Sequence, residues 1–460
     1  MLTASIPDQP AAPSRRGVLG WMLFDWANQP FYTLVLTFVF APYFASEVAA
    51  TPAEGQALWG LATAIAGALV AILSPVLGAI ADRTGGGKAW VLGFSILYVV
   101  GCLGLWGAAP GLGVVWPVLL AFGLAYVGSE FTILYTNAML PRLGDRGEIG
   151  RISGSGWALG YVGGLVSLIL VLALMVPAPG KTTTLIGLAP ILGLDPAAGE
   201  PARATGPLSA LWYVVFVIPF FLWSPDTART GARLGAAARA GLGDLRRAVG
   251  ALRRERSLGA YLLASMIYRD ALAALFAFGG IYAAGVLGWG AFQLGVFGIV
   301  AAATGALGAF LGGRADRAFG PRPVIRASIW LLILVCAAVL GTSRTAVLGV
   351  AVAAGSRLPD LVFLVAGGLL GAAAGALQSA SRTLLVHQAE GRMGMGQAFG
   401  LFALAGKATA FIGPSLVAWV THATGSQRLG VSPIVGLFVL GLLLLSFVKT
   451  GIEQPRDTGP

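Results

Sequence analysis

The chain reads as an all-α polytopic membrane protein, with twelve transmembrane helices divided into two pseudo-symmetric halves of six. Its composition, its count of long apolar stretches and an internal repeat carry that reading. Of the 460 residues, 57% are hydrophobic and 11% charged, against about a quarter charged in a typical soluble domain, so most side chains cannot face water. The net charge of +11 would suit nucleic acid if it formed a basic face on a soluble domain. Here the charges fall between apolar segments, so they reflect membrane topology and exclude nucleic acid as a partner.

A helix needs about 20 apolar residues to cross a bilayer. Twelve stretches qualify: 19–45, 57–81, 89–109, 113–139, 152–176, 208–225, 258–285, 291–312, 323–341, 361–385, 397–421 and 432–449. The expected organisation is an N-terminal tail (1–18), a six-helix half (19–225), a basic linker (226–257), a second half (258–449) and a C-terminal tail (450–460). "SRRGVL" at Ser14–Leu19 has the look of a twin-arginine signal. The apolar stretch after it is long, carries Asp25 and lacks a small-residue cleavage site, so it is read as juxtamembrane charge. The linker holds eight arginines against three acids and no sustained apolar face, which suits a linker able to carry a surface helix.

With the N-terminus inside, the inner loops, tails and adjoining helix ends hold 23 of the 30 Lys and Arg and the outer loops five, while Arg269 and Lys407 lie deep within helices. The positive-inside rule therefore puts both termini in the cytoplasm, and a bacterial inner membrane is the expected location. The longest outer loop, about 177–207, is rich in Pro and Gly and is expected to drape over the outer face without forming a domain.

Cys102 and Cys336 lie inside apolar runs, where a thiol behaves as a packing residue, so neither a disulfide nor a metal site is expected. His387 and His422 are too few for a multi-histidine metal centre. No G-x-x-x-x-G-K-[ST] nucleotide loop is present, and no cofactor is expected.

The repeat comes next. "GAIADRTGGGK" (Gly78–Lys88) follows the second stretch and "GGRADRAFGPR" (Gly312–Arg322) follows the eighth; both read G-x-x-A-D-R. A tight turn between antiparallel helices explains the glycines, and Asp82 or Asp316 can sit near a helix end and pair with an arginine such as Arg83 or Arg317. An offset of 245 residues maps Asp25 onto Asp270 and Asn137 onto Arg382, and "GSGWALG" (Gly154–Gly160) parallels "GLFALAG" (Gly400–Gly406) near that offset. Parallel six-helix repeats mark a two-halved transporter with its cavity on the axis between the halves.

At these residues the chain resembles the major facilitator superfamily, whose loop between helices 2 and 3 reads G-x-x-x-D-R-x-G-x-x-K. Gly78, Asp82, Arg83 and Lys88 match it, and Arg322 stands near the place of the last basic residue in the second copy. The resemblance implies that these residues latch the cytoplasmic side in the outward-open state and do not touch substrate. Within the superfamily the chain is similar to the "unknown major facilitator" family, which includes the fungal vacuolar autophagy-related amino-acid effluxers. "FDWANQPFYTLVLTFVFAPYF", "YTNAMLP", "GRISGSGWALGYVGG", "FAFGGIYAAGVLG", "GALQSASR" and "GLFALAGKATAFIGP" carry the likeness. Gln29-Pro30 departs from it, since a small residue is common there, and can bend the helix or change the cavity wall.

Ionisable groups in a membrane interior cost about 2.5 to 3.5 kcal/mol on insertion scales and usually face a cavity or a partner. Asp25 and Asn28 share one helical face, with capping or pairing to Arg15 or Arg16 as the structural alternative for Asp25. Glu130 needs a cation, a donor network or a proton, and Tyr135 and Asn137 follow it toward the cytoplasmic end. Arg269 and Asp270 point about 100° apart on the seventh helix, so one faces the cavity while the other pairs elsewhere, or the two form a structural ion pair between helices. The tenth helix supplies Gln378 and Arg382, the latter within snorkelling reach of the cytoplasm. Lys407 is too deep to snorkel and is expected to pair with an acid such as Asp270 or to meet an anionic group on substrate. The resemblance puts helices 1, 4, 7 and 10 around the cavity, and Asp25, Glu130, Asp270 and Gln378 fall on those four.

The expected function is secondary active transport of a small polar metabolite, an amino acid or similar zwitterion, by rocking alternating access coupled to protons through Glu130, Asp25 or Asp270; the resembled family includes exporters, and the sequence itself carries no mark of direction. A multidrug or metabolite exporter of the same superfamily is the alternative, kept open by twelve tryptophans. An intramembrane enzyme using Asp25 and Asp270 is disfavoured because "LFDW" and "IYRD" lack the intramembrane aspartyl protease signatures. The partners expected are a small-molecule substrate, protons and the lipid bilayer, with the chain acting as a monomer.

Overall fold

The computed structural model describes residues 14–178, 180–252, 255–353 and 355–449. Most of the N-terminal tail and the C-terminal tail from residue 450 lie outside the described residues. Among the described residues, twelve helices are long and apolar enough to span a membrane. They are α1 (Arg15–Val48), α2 (Pro52–Thr84), α3 (Gly87–Gly107), α4 (Trp116–Arg142), α5 (Ile149–Leu174), α6 (Glu200–Trp223), α7 (Arg256–Leu287), α8 (Gln293–Phe319), α9 (Pro321–Leu340), α10 (Leu358–Ala389), α11 (Met395–Thr424) and α12 (Gln427–Ser446). Each apolar stretch of the sequence corresponds to one of them.

Local chemistry sets the ends. Ser14 caps α1 by accepting from the Gly17 N–H at 3.0 Å, and Thr51 caps α2 through the Glu54 N–H at 3.2 Å, with Pro52 in the first turn. α2 stops at Gly85 and Gly86, both left-handed (φ +64° and +66°), a conformation that favours glycine and turns the chain directly into α3. Pro30 lacks an N–H, and regular α geometry in α1 ends there. A wider π-helical stretch follows over Phe31–Phe38.

The apolar exterior is large: Ile65, Ile72, Leu120 and Leu334 are each 60% or more exposed, as helices solvated by lipid require. Inside the bundle small residues set the spacing. α8 and α10 approach so closely that a Cβ on Gly312 would lie 2.7 Å from that of Ala376.

The halves meet through α2 against α11 and α5 against α8. We call the face carrying the α2–α3 turn the basic face and its opposite the far face. Among the described residues, hydrogen bonds and ion pairs between the halves lie in the basic-face half of the helices or at mid-depth. The polar ties between the halves therefore close the basic face.

Between the halves the helix Leu234–Leu252 lies on the basic end of α2. Its docking side uses Ala237 and Gly241, the latter against the Ala79 backbone, which are too small to register as an apolar face in the sequence. Asp244 binds Arg83 at 2.5 Å and also pairs with Arg247. The loop after α5 forms turns without a further domain, and Arg203 at its end donates to the Trp106 carbonyl at 2.8 Å. A two-stranded hairpin (Ala346–Val347 with Val350–Ala351) closes the α9–α10 connection.

Candidate functional site

Two tiers of polar groups cross the interface between the halves. The tier nearer the basic face is built on Arg382 of α10. Its guanidinium donates to Asp25 Oδ2 on α1 at 3.3 Å, Asn137 Oδ1 on α4 at 2.9 Å, Ser153 Oγ on α5 at 3.0 Å and the Ser153 carbonyl at 2.7 Å. Trp21 and Trp157 lie against its planar faces, 4.9 and 5.5 Å from the guanidinium carbon. Small residues on α5 admit this group: a Cβ on Gly156 would lie 2.8 Å from Asp25 Oδ2. Arg382 is thus buried with each of its three nitrogens hydrogen-bonded, in contrast to the snorkelling alternative, because α10 aims it across the interface. Asp25 meets Arg382 and not Arg15 or Arg16. Asn137 and Arg382, related by the 245-residue offset, touch each other, as counterparts must when both sit on a pseudo-two-fold axis.

The second tier lies deeper, its residues roughly 16–26 Å from the basic ends of their helices at 1.5 Å per residue. Lys407 Nζ on α11 donates to Glu130 Oε1 at 2.9 Å and to the Tyr126 hydroxyl at 2.9 Å, both on α4. Tyr32 on α1 donates to the same Glu130 oxygen at 3.3 Å. Ser129 stands 3.0 Å from Asn28 Oδ1 and 3.2 Å from the Tyr32 hydroxyl. Gln378 on α10 reaches the Tyr161 hydroxyl on α5 at 3.4 Å. Arg269 on α7 lies over the Phe402 ring at 4.1 Å and donates to the Phe402 carbonyl at 3.0 Å.

Two candidates fall outside these tiers. Asp270 is buried on the other side of α7 and accepts from the Gly413 N–H at 3.2 Å. α11 is interrupted between Ala408 and Ile412, and Asp270 caps the first turn of its second segment, so it does not pair with Lys407. Tyr135 packs inside the first half against Trp90, Phe94 and Phe131.

By contact, Arg269 on Gly406 of α11 occupies the place that Asp25 occupies on Gly156 and Gly160 of α5. Arg269 stands 244 residues after Asp25, one before the aspartate counterpart, and that single step turns Asp270 away by about 100°.

The loop motif reaches across the interface, but among the described residues neither Asp82 nor Asp316 forms the expected pair with an arginine; Arg83 and Arg317 pair with other acids. Asp82 accepts from the Gly396 and Gln397 N–H groups, both at 2.8 Å, and so caps the start of α11 across the interface. Gly78 lies against the Gly396 backbone, Lys88 Nζ donates to the Phe221 carbonyl at 2.8 Å, and Arg83 binds Asp244. In the second copy the buried Asp316 faces Gly150 in the first turn of α5, and Arg317 pairs with Glu148 at 2.8 Å. Sequence reasoning missed Tyr32, Tyr126, Ser129, Ser153 and Asp244. Tyr126 and Tyr32 each lie four residues from a chosen polar residue on the same helix face, a usable signal; Ser153 and Asp244 carry none.

The arrangement can hold ions of both signs at mid-membrane between two bodies joined by breakable pairs. The profile of the family described as "Vacuole effluxer Atg22 like" matches residues 146–454. The chain is 24% identical over 458 residues to the uncharacterized MFS-type transporter YxiO of Bacillus subtilis (strain 168), covering 96% of this chain and 97% of that one. Its fold is that of the E. coli fucose:proton symporter FucP (TM-score 0.70, 16% identity, 95% and 98% of the two chains). The human organic anion transporter MFSD10 (TETRAN) shares it too (TM-score 0.67, 16% identity, 95% and 100%). These are transporters and not enzymes. With residues 146–454, more than half of the chain, matched by the family profile and 96% of its length by a major facilitator relative, the chain belongs to the Atg22-like family of major facilitator superfamily transporters.

Proposed function

We propose that the protein is a proton-coupled secondary transporter of a small zwitterion, an amino acid or a close analogue, working as a monomer by rocking alternating access. The halves 19–225 and 258–449 move as two bodies joined by the linker 226–257, with both termini in the cytoplasm of a bacterial inner membrane. The observation that carries this reading is the Lys407–Glu130 pair, which ties α11 to α4 at mid-depth with both side chains under a fifth exposed. A proton on Glu130 removes the charge that holds Lys407, so protonation loosens one tie between the halves. An ammonium group on substrate can take the same carboxylate in exchange for Lys407. Acids and bases side by side suit a zwitterion better than a lipophilic cation. The family description as an effluxer supports the export direction.

The test uses purified protein in proteoliposomes with a pool of the twenty standard amino acids. Wild type is expected to accumulate part of the pool under an imposed pH gradient, and Glu130→Gln to lose the pH dependence while retaining exchange. Unchanged proton coupling in Glu130→Gln would remove Glu130 as the proton carrier.

A further inference from the structure

Six ionisable side chains sit well within the spanning helices at or near the interface: Asp25, Glu130, Arg269, Asp270, Arg382 and Lys407. Two pairs form, Arg382 with Asp25 and Lys407 with Glu130. Asp270 serves the α11 break. Among the described residues Arg269 makes no ion pair, and its one hydrogen bond goes to the Phe402 carbonyl.

A guanidinium carries five N–H donors, so one bond leaves four unused. It lies flat against α11 at Gly406, where a Cβ would stand 2.5 Å from its central carbon, and the Phe402 ring covers one of its faces. The nearby Glu130 is already engaged by Lys407, Tyr32 and, through Lys407, Tyr126. The residue is only partly buried, so part of its surface stays open to contact. A cation held this way, at mid-membrane and with an open fork, is costly until an anion arrives.

We propose that the Arg269 guanidinium is the seat of the substrate's anionic group, a carboxylate held in bidentate fashion, with Gly406 and Phe402 as the platform that orients the fork. This rests on the zwitterion reading. The carboxylate then lies on Arg269 while the amine lies toward Glu130, so one small molecule bridges α7 and α4 and reports its occupancy to both halves.

The test measures thermal unfolding of the full-length purified chain against three matched pools at constant ionic strength. They are the twenty α-amino acids, the amines lacking their carboxylates, and the acids lacking their amines. Wild type is expected to respond to the amino acids, more weakly to the acids, and not to the amines. Arg269→Gln should raise the half-maximal amino-acid concentration about 100-fold and Arg269→Lys, which keeps charge without the fork, about 10-fold. Equal responses in wild type and Arg269→Gln, or a response to amines alone, would overturn the seat. A wild type silent to all pools refutes the zwitterion reading, and the seat is then judged by phenylglyoxal modification read by peptide mass spectrometry. Modification of Arg269 slowed several-fold by benzoate supports an anion seat; absent or unprotected modification overturns it.

Discussion

Replacing Asp25 by Asn leaves Arg382 without its counter-charge in the closed basic face. The two side chains are 18% and 5% exposed and 3.3 Å apart, so water screens them poorly. Coulomb's law at an effective dielectric constant near 20 gives about 5 kcal/mol for that separation. Asn137 and Ser153 retain their bonds to Arg382, and the new amide oxygen can still accept, so the net loss is about 2–3 kcal/mol. When the basic face opens, both groups meet water and the loss vanishes. The closed conformation alone is destabilised, which corresponds to a roughly 30- to 150-fold rise in the open population at 1.4 kcal/mol per factor of ten. Ser379 is fully buried beside this tier, its carbonyl accepting from Ser153, so Ser379→Cys supplies a reporter. The rate at which a maleimide labels Cys at that position from the basic side follows the open population when opening is rapid. The native cysteines are buried, and labelling of the parent protein sets the background. A labelling rate within twofold of the Asp25 parent would refute the ion pair as a gate tie.

Asp82→Asn weakens the charged cap on α11 and is expected to slow turnover about 10-fold with an unchanged half-saturation constant; a large affinity change would place Asp82 in the substrate site. Asp244→Asn should release the linker helix from Arg83, read as several-fold faster tryptic cleavage at Arg239, Arg246 and Arg247. The Arg83 hydrogen bond holds the Asp244 carboxyl below the usual carboxylate range. A depressed carboxylate contributes above its unfolded value near 4 and fails as pH falls through the depressed one, so cleavage in the parent should stay flat from about pH 8 to 5. A rise across that window would contradict the assigned tie.

The Atg22-like chain carried its twelve spans, its two halves and its α2–α3 turn in the sequence, because each follows from local physics. Apolar length decides whether a helix can span, and Gly85 and Gly86 alone permit the turn that ends α2. The motif also marked Asp82, whose partners lie at a neighbouring helix start. Pairing across the interface was not legible. Asp25 and Arg382 are 357 positions apart, and Glu130 and Lys407 are 277 apart, so no periodicity links them. The repeat pointed to Asp270 as the counterpart of Asp25, yet one residue of slip turns a helical side chain by about 100°. That step sends Asp270 to the break in α11 and leaves Arg269 facing Gly406. Hydropathy and motifs thus determined which elements exist and where charge is buried. Only the packing of two halves decided which charges meet, because the meeting depends on rotation about helix axes that no stretch of sequence sets by itself.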